Sequence, residues 1–215
     1  MRYTHIAFDI DGTLIDTQDT FTYSFARTIL ELKGEVVSPA DLVQYFGLPS
    51  MVGIEMVGFD DHEVALELWE KYYREMAPVK SVPYPGVHEA LEKIVAAGIR
   101  IGVITSRSRD EFEFDRNLDP WRPWLQTVIC ADDTVLHKPD GEPAEAFAAK
   151  AGVDVSRCLY MGDTIMDARC AANAGMDFAL ATWNGAPTEG IPADYRFSSA
   201  EEMLAIAVGR ENRLG

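Results

Sequence analysis

The chain has 215 residues, 47% of them hydrophobic and 25% charged, the mix of an ordinary globular protein with room for one sizeable core and a small insert. A formal net charge of −16 repels phosphate backbones and anionic lipid, so no nucleic-acid or membrane-surface partner is expected. No apolar stretch is long enough to span a bilayer. The three cysteines, Cys130, Cys158 and Cys170, have no ligand-type spacing and follow no signal peptide, which predicts reduced thiols and a cytoplasmic protein.

The first apolar run, Ile6-Ala7-Phe8, reads as a short strand buried on both faces. It leads into Asp9, Asp11 and Gly12-Thr13. At the carboxyl end of a parallel strand these acids would sit where open α/β sheets bind ligands. Two close carboxylates repel, and a divalent cation is the natural compensator. One acid is then placed to bind the metal and attack an electrophile, the other to handle a proton. The plainer alternative is an Asp-Gly turn with Asp9 exposed.

Residues 19–33 predict a helix with Phe21, Phe25, Ile29 and Leu32 on one stripe and Gly34 as its stop. Ser38-Pro39-Ala40-Asp41 starts a short helix that ends near Gly47. Residues 50–57 are ambiguous, and 61–76 predict a longer helix with Val64, Leu68 and Tyr72 on one face. No strand pattern occurs between about 16 and 82. The stiff connector Ser81-Val82-Pro83-Tyr84-Pro85-Gly86 then marks a boundary.

Beyond it helix and strand alternate. A helix is predicted over 87–97, a strand over 99–104 ending at Thr105-Ser106, and a poorly patterned charged segment over 108–117. A strand over 127–130, an Ala-rich helix over 142–151, a strand over 158–161, a helix over 165–174 and a last strand over 178–181 follow. Ser198 or Ser199 with Glu201 or Glu202 forms a capping box for a terminal helix. Five strands alternating with helices predict a doubly wound parallel sheet, a Rossmann-like α/β core of residues 1–15 plus 83–215. Residues 16–82 are then an inserted α-helical cap over the strand ends.

Four polar groups fall just after strands, where a parallel sheet gathers its ligand site. Asp9 and Asp11 are the first. Thr105 and Ser106 are the second, with hydroxyls and backbone N–H groups suited to phosphate oxygens or to a plain N-cap. Lys138 is the third, an ammonium able to neutralise an attacking carboxylate and a phosphoryl group, though an isolated lysine is usually a solvated surface charge. Its neighbour His137 reads as a surface residue. Asp163 and Asp167 are the fourth, one helical turn apart and on one helix face, either as metal and lysine partners or as N-terminal acids of the helix. Together they predict one Mg²⁺ and phosphate site.

These segments resemble the four motifs of the haloacid dehalogenase-like hydrolase superfamily, and Phe-Asp-Ile-Asp-Gly-Thr-Leu is the most specific of them. The helical insert resembles the cap of its phosphoglycolate phosphatase and β-phosphoglucomutase branch. The resemblance implies Asp9 as a nucleophile that becomes an aspartyl phosphate and Asp11 as acid to the leaving alcohol, then base to water. It implies Thr105 and Ser106 as phosphate binders and Lys138 as charge stabiliser. Asp9, the main-chain carbonyl of Asp11 and Asp163 would hold Mg²⁺, with Asp167 in support. Asp11 disfavours the dehalogenases, which lack that second Asp, and the phosphonatases, which place Ala there. Asp140-Gly141-Glu142-Pro143 departs from the family's usual proline spacing after Lys138, which predicts a longer loop. The resemblance therefore implies a Mg²⁺-dependent phosphatase for a small phosphorylated metabolite. A phosphomutase, or a catalytically silent regulator of the same fold, is the alternative. Oligomeric state is not legible.

Overall fold

The structure is a computed structural model that describes residues 2–207. The four residues of β1 (His5–Phe8) are all buried, as a central strand requires. The two-residue strands β2 (Ile15–Asp16) and β3 (Val82–Pro83) pair antiparallel with each other, away from the main sheet. That sheet is completed by β4 (Arg100–Ile104), β5 (Leu125–Ile129), β6 (Cys158–Gly162), β7 (Asp177–Ala181) and β8 (Tyr195–Phe197). All its pairings are parallel and the order is β5-β4-β1-β6-β7-β8.

β8 is a sixth strand that the sequence pattern did not predict. It has three residues, buried, exposed, buried, too few to establish a period. Its position is fixed by tertiary partners: the Tyr195 hydroxyl lies 3.0 Å from that of Tyr3, and the rings of Tyr195 and Phe197 stack.

α1 (Gln18–Lys33), α2 (Pro39–Leu42), α3 (Ser50–Val57) and α4 (His62–Lys80) lie between β2 and β3 in the chain. They enclose a separate apolar cluster of Phe21, Phe25, Ile29, Leu42, Ile54 and Trp69. The ambiguous residues 50–57 are helical, and Gly53 lets α3 approach the Phe25 ring, where a Cβ would come within 2.9 Å. Two expected faces are corrected. Leu32 is exposed on α1, and Val64 is exposed on α4, whose buried face is Ala65, Trp69, Tyr72, Tyr73 and Ala77. Aromatic volume, concentrated at Trp69 and Tyr73, sets that face. α4 also continues past residue 76 to Lys80, with Pro78 inside its last turn.

α5 (Val87–Ala96) covers one face of the sheet. The alternation along β1 sends Ile6 and Phe8 into that face and Ala7 into the other. The poorly patterned, charged segment 108–117 carries secondary structure. It holds α6 (Arg109–Phe114), started by a reciprocal Ser108/Glu111 capping box, and a turn of 3₁₀ helix started by Asp115. Six residues with two buried positions leave no readable stripe. α7 (Glu142–Ala151) and α8 (Ile165–Ala174) cover the second face. Near the end, Ser198 rather than Ser199 engages Glu202, before a 3₁₀ turn and α9 (Leu204–Ala207). Residues 208–215 of the expected core and terminal helix lie outside the described residues.

The three cysteines are buried and free. Among the described residues no helix is long and apolar enough to cross a membrane.

Candidate active site

The Asp9 N–H donates to the Met161 carbonyl at 2.8 Å, which carries the β1–β6 ladder one residue past β1. Asp9 therefore leaves the sheet at its carboxyl edge. β6 ends at the same level and delivers Asp163, and α8 begins there with Asp167. The Thr164/Asp167 capping box fixes that start. Ligand oxygens of Asp9, Asp163 and Asp167 all lie within 4.8 Å of one another, and all three residues are buried. Lys138 reaches this group from the loop after β5. Its Nζ donates to Asp9 Oδ1 and Asp167 Oδ1, each at 2.8 Å.

The three acids differ in what compensates them. Asp167 accepts from Lys138, from the Tyr160 hydroxyl at 2.7 Å and, on its other oxygen, from the Thr164 N–H and hydroxyl. Burial opposes its ionisation, but Lys138 and these hydrogen bonds outweigh it and the pKa falls below the usual carboxylate range. At Asp9 burial dominates and the carboxyl is pushed up to about 7, with Asp167 and Asp11 adding to the rise and Lys138 opposing it. At Asp163 burial and the charges of Asp167 and Asp9 raise the pKa well above normal, although Thr13 donates to it at 2.9 Å. Two of three clustered carboxylates are thus short of positive charge. Hard oxygen donors in that condition fit a divalent cation such as Mg²⁺. Gly12 fits the same purpose: its φ is +83°, and a Cβ there would overlap the Asp163 carboxylate.

Asp11 has a different environment. Its carboxylate is held by Arg107, from Nε to Oδ2 at 2.8 Å and from Nη2 to Oδ1 at 2.9 Å, and by the Thr17 hydroxyl at 2.5 Å. Arg107 also donates to Asp115 at 2.7 Å and to the Tyr73 hydroxyl of α4 at 3.2 Å. Burial would raise the Asp11 pKa, but Arg107 and Thr17 more than reverse this and hold it below the usual range. The paired fork leaves Asp11 a committed anion in this arrangement.

Thr105 and Ser106 follow β4 beside this fork. Thr105 is buried and its Oγ1 accepts from the Arg107 N–H at 3.2 Å, while Ser106 Oγ is buried without a partner among the described residues. His137 is exposed as expected. Three contributors were missed in the sequence. Arg107 stands next to Thr105-Ser106 at a strand end, which was the available signal. Asn184 follows β7 and donates to Asp163 at 2.7 Å and to the Gly12 carbonyl at 3.1 Å; its place after the last predicted strand was the signal. Tyr160 lies inside an apolar run and gave none.

The helical block touches this edge directly. Ser50 Oγ donates to Glu111 Oε1 at 2.6 Å, and Glu111 Oε2 accepts from the Ser108 N–H at 2.6 Å. Burial raises the Glu111 pKa, and these two donors and Arg107 favour its anion.

A family model for haloacid dehalogenase-like hydrolases matches residues 6–181. A phosphoglycolate phosphatase from Caulobacter vibrioides is 32% identical over 88% of this chain and 84% of its own. The pyrophosphatase PpaX of Bacillus velezensis is 27% identical over 95% of this chain and 96% of its own. A crystal structure of a candidate phosphoglycolate phosphatase from Lactobacillus plantarum superposes with a TM-score of 0.85 at 28% identity, covering 96% of this chain and 100% of that one. The β1 motif, the strand-end lysine and the acids opening α8 all lie inside the matched span, and the chain belongs to the haloacid dehalogenase-like hydrolase family.

Proposed function

We propose that the protein is a Mg²⁺-dependent phosphatase of small phosphorylated metabolites that works through an aspartyl phosphate on Asp9. The observation that carries this reading is Lys138 Nζ at 2.8 Å from both Asp9 and Asp167, within a cluster of three acids whose charge one lysine does not balance. Asp9, Asp163 and the main-chain carbonyl of Asp11 would hold Mg²⁺, which supplies charge neutralisation for an incoming phosphoryl group. Asp9 attacks phosphorus, and Lys138 holds its carboxylate in place and stabilises charge on the phosphoryl oxygens. The Thr105 hydroxyl and the N–H groups after β4 bind those oxygens. Asp11 gives a proton to the leaving oxygen and later takes one from water, which requires its pairing with Arg107 to loosen during turnover.

Residues 16–82 serve in this reading as a cap over the site. Support comes from their separate apolar cluster and from the two chain crossings that join them to the rest, pinned by the β2–β3 pair and by the buried Thr20–Ser81 hydroxyl contact at 2.8 Å. The relatives named pyrophosphatase and phosphoglycolate phosphatase differ in what leaves; the phosphorus centre is common to both. The test is release of inorganic phosphate from acetyl phosphate with and without Mg²⁺. Release that depends on Mg²⁺ and vanishes in Asp9→Asn is the expected result. Release that persists at a similar rate in Asp9→Asn removes the proposal.

A further inference from the structure

A cavity of about 40 Å³ lies where α4 and the 46–48 loop meet the residues following β4, with Asp11 on its wall. At about 10–15 Å³ per water on this measure, it has room for roughly three water-sized groups beyond the phosphoryl position. Phe46, Leu48, Trp69 and Tyr73 line one side, and Ser106, Arg107 and Glu111 the other.

Two features define what fits there. Arg107 does not offer its charge freely: Asp11 and Asp115 pair with it and Tyr73 takes a further N–H, and when Asp11 turns to the leaving oxygen Asp115 still holds the guanidinium. With Glu111 adjoining, three carboxylates surround one guanidinium, and a second anion would enter against net negative charge. The second feature is a pair of orphans. The Trp69 indole N–H and Ser106 Oγ are buried without partners among the described residues, and Trp69 is 4% exposed. A ligand oxygen that accepts from the indole would satisfy the first, and a hydroxyl would serve both the serine and Glu111, whose oxygens retain lone pairs.

We propose that this cavity holds the leaving group and selects the monophosphates of short, uncharged polyols over substrates that carry a second anionic group. The inference rests on the phosphatase reading and assigns it a substrate class unlike the names of the relatives. Glu111 is the discriminating residue and Trp69 the acceptor-seeking one.

The test compares glycerol 3-phosphate with 3-phosphoglycerate, which differ only in a terminal CH₂OH against a carboxylate, and with pyrophosphate, at saturating Mg²⁺. The wild-type kcat/KM should favour glycerol 3-phosphate by about tenfold or more over both. Glucose 6-phosphate, too large for the cavity, should fall below it by a similar factor. Glu111→Gln should shrink the preference over 3-phosphoglycerate severalfold, through a lower KM for the acid. Trp69→Phe should raise the KM for glycerol 3-phosphate severalfold and leave the inhibition constant of inorganic phosphate, which carries no leaving group to accept from the indole, nearly unchanged. Equal or better use of 3-phosphoglycerate or pyrophosphate by the wild type overturns the proposal, and needs no variant to fold. Acetyl phosphate separates the two failures. If it is cleaved while the anionic substrates win, only the substrate class is wrong. If no substrate is cleaved, the phosphatase reading falls and this inference falls with it.

Discussion

Asp9 and Asp11 stand two residues apart on one strand extension, yet they belong to two regions built on opposite principles. Around Asp9, acids outnumber cations: Asp163 and Asp167 crowd it, Lys138 alone answers among the described residues, and its pKa rises to about 7. Around Asp11, a guanidinium fork and a threonine hydroxyl hold the carboxylate, and its pKa falls. The first region is assembled wholly from the carboxyl edge of the sheet. The second reaches across to Tyr73 and Thr17, so the carboxylate we assign to proton handling is tied to the helical block, while the one we assign as nucleophile is held from the sheet edge.

The largest expected effect breaks the first region. Asp9→Asn is nearly isosteric but cannot attack, and turnover should fall by about 10⁴-fold or more with the circular dichroism spectrum intact. Lys138→Met comes next. It leaves Asp9 and Asp167 uncompensated, so kcat should fall by roughly 10²–10³-fold, and the metal-free protein should lose stability in urea titrations.

Asp11→Asn tests the division of labour. Single-turnover phosphorylation by glycerol 3-phosphate should slow by about 10²-fold or more, because its alkoxide must be protonated. Phosphorylation by acetyl phosphate, which releases a stable carboxylate, should slow far less. Equal losses on both would move the proton donor away from Asp11.

Asp9 also predicts a pH effect on stability. Its folded pKa of about 7 exceeds the ordinary carboxyl value near 4, so between those limits the folded state binds more protons than the unfolded one. Metal-free stability should therefore fall as pH rises from about 4 to about 7, and Mg²⁺ should raise Tm more at the upper end of that window than at the lower. A Mg²⁺-induced Tm gain that does not grow with pH would contradict this. The smallest effect belongs to Tyr73→Phe. It removes one hydrogen bond from Arg107, worth about 1 kcal/mol, and should change kcat/KM by less than roughly tenfold.

The sheet and the Asp9 region were legible because both rest on local signals. Apolar runs such as Ile6-Ala7-Phe8 end in a polar residue, and a parallel sheet brings such ends together. β8 was not legible, since three residues show no period and tertiary contacts hold them. The Asp11 region was not legible either. Arg107 meets Asp11 across 96 positions and Tyr73 across 34, and nothing local announces a partner that distant. Glu111 looked like one more charge in a polar stretch until its capping role and its contact with Ser50 placed it against α3.

The central claim is that Asp9 carries the phosphoryl group. The most direct measurement is a rapid acid quench of the enzyme turning over ³²P-labelled acetyl phosphate with Mg²⁺, with one half of the sample mapped in acid for label and the other half reduced with borohydride, which expels the phosphate, before mapping. The account predicts label on the N-terminal peptide of the unreduced half, homoserine in place of Asp9 in the reduced half, and neither in Asp9→Asn. Label on another residue, or undiminished label in Asp9→Asn, would contradict it.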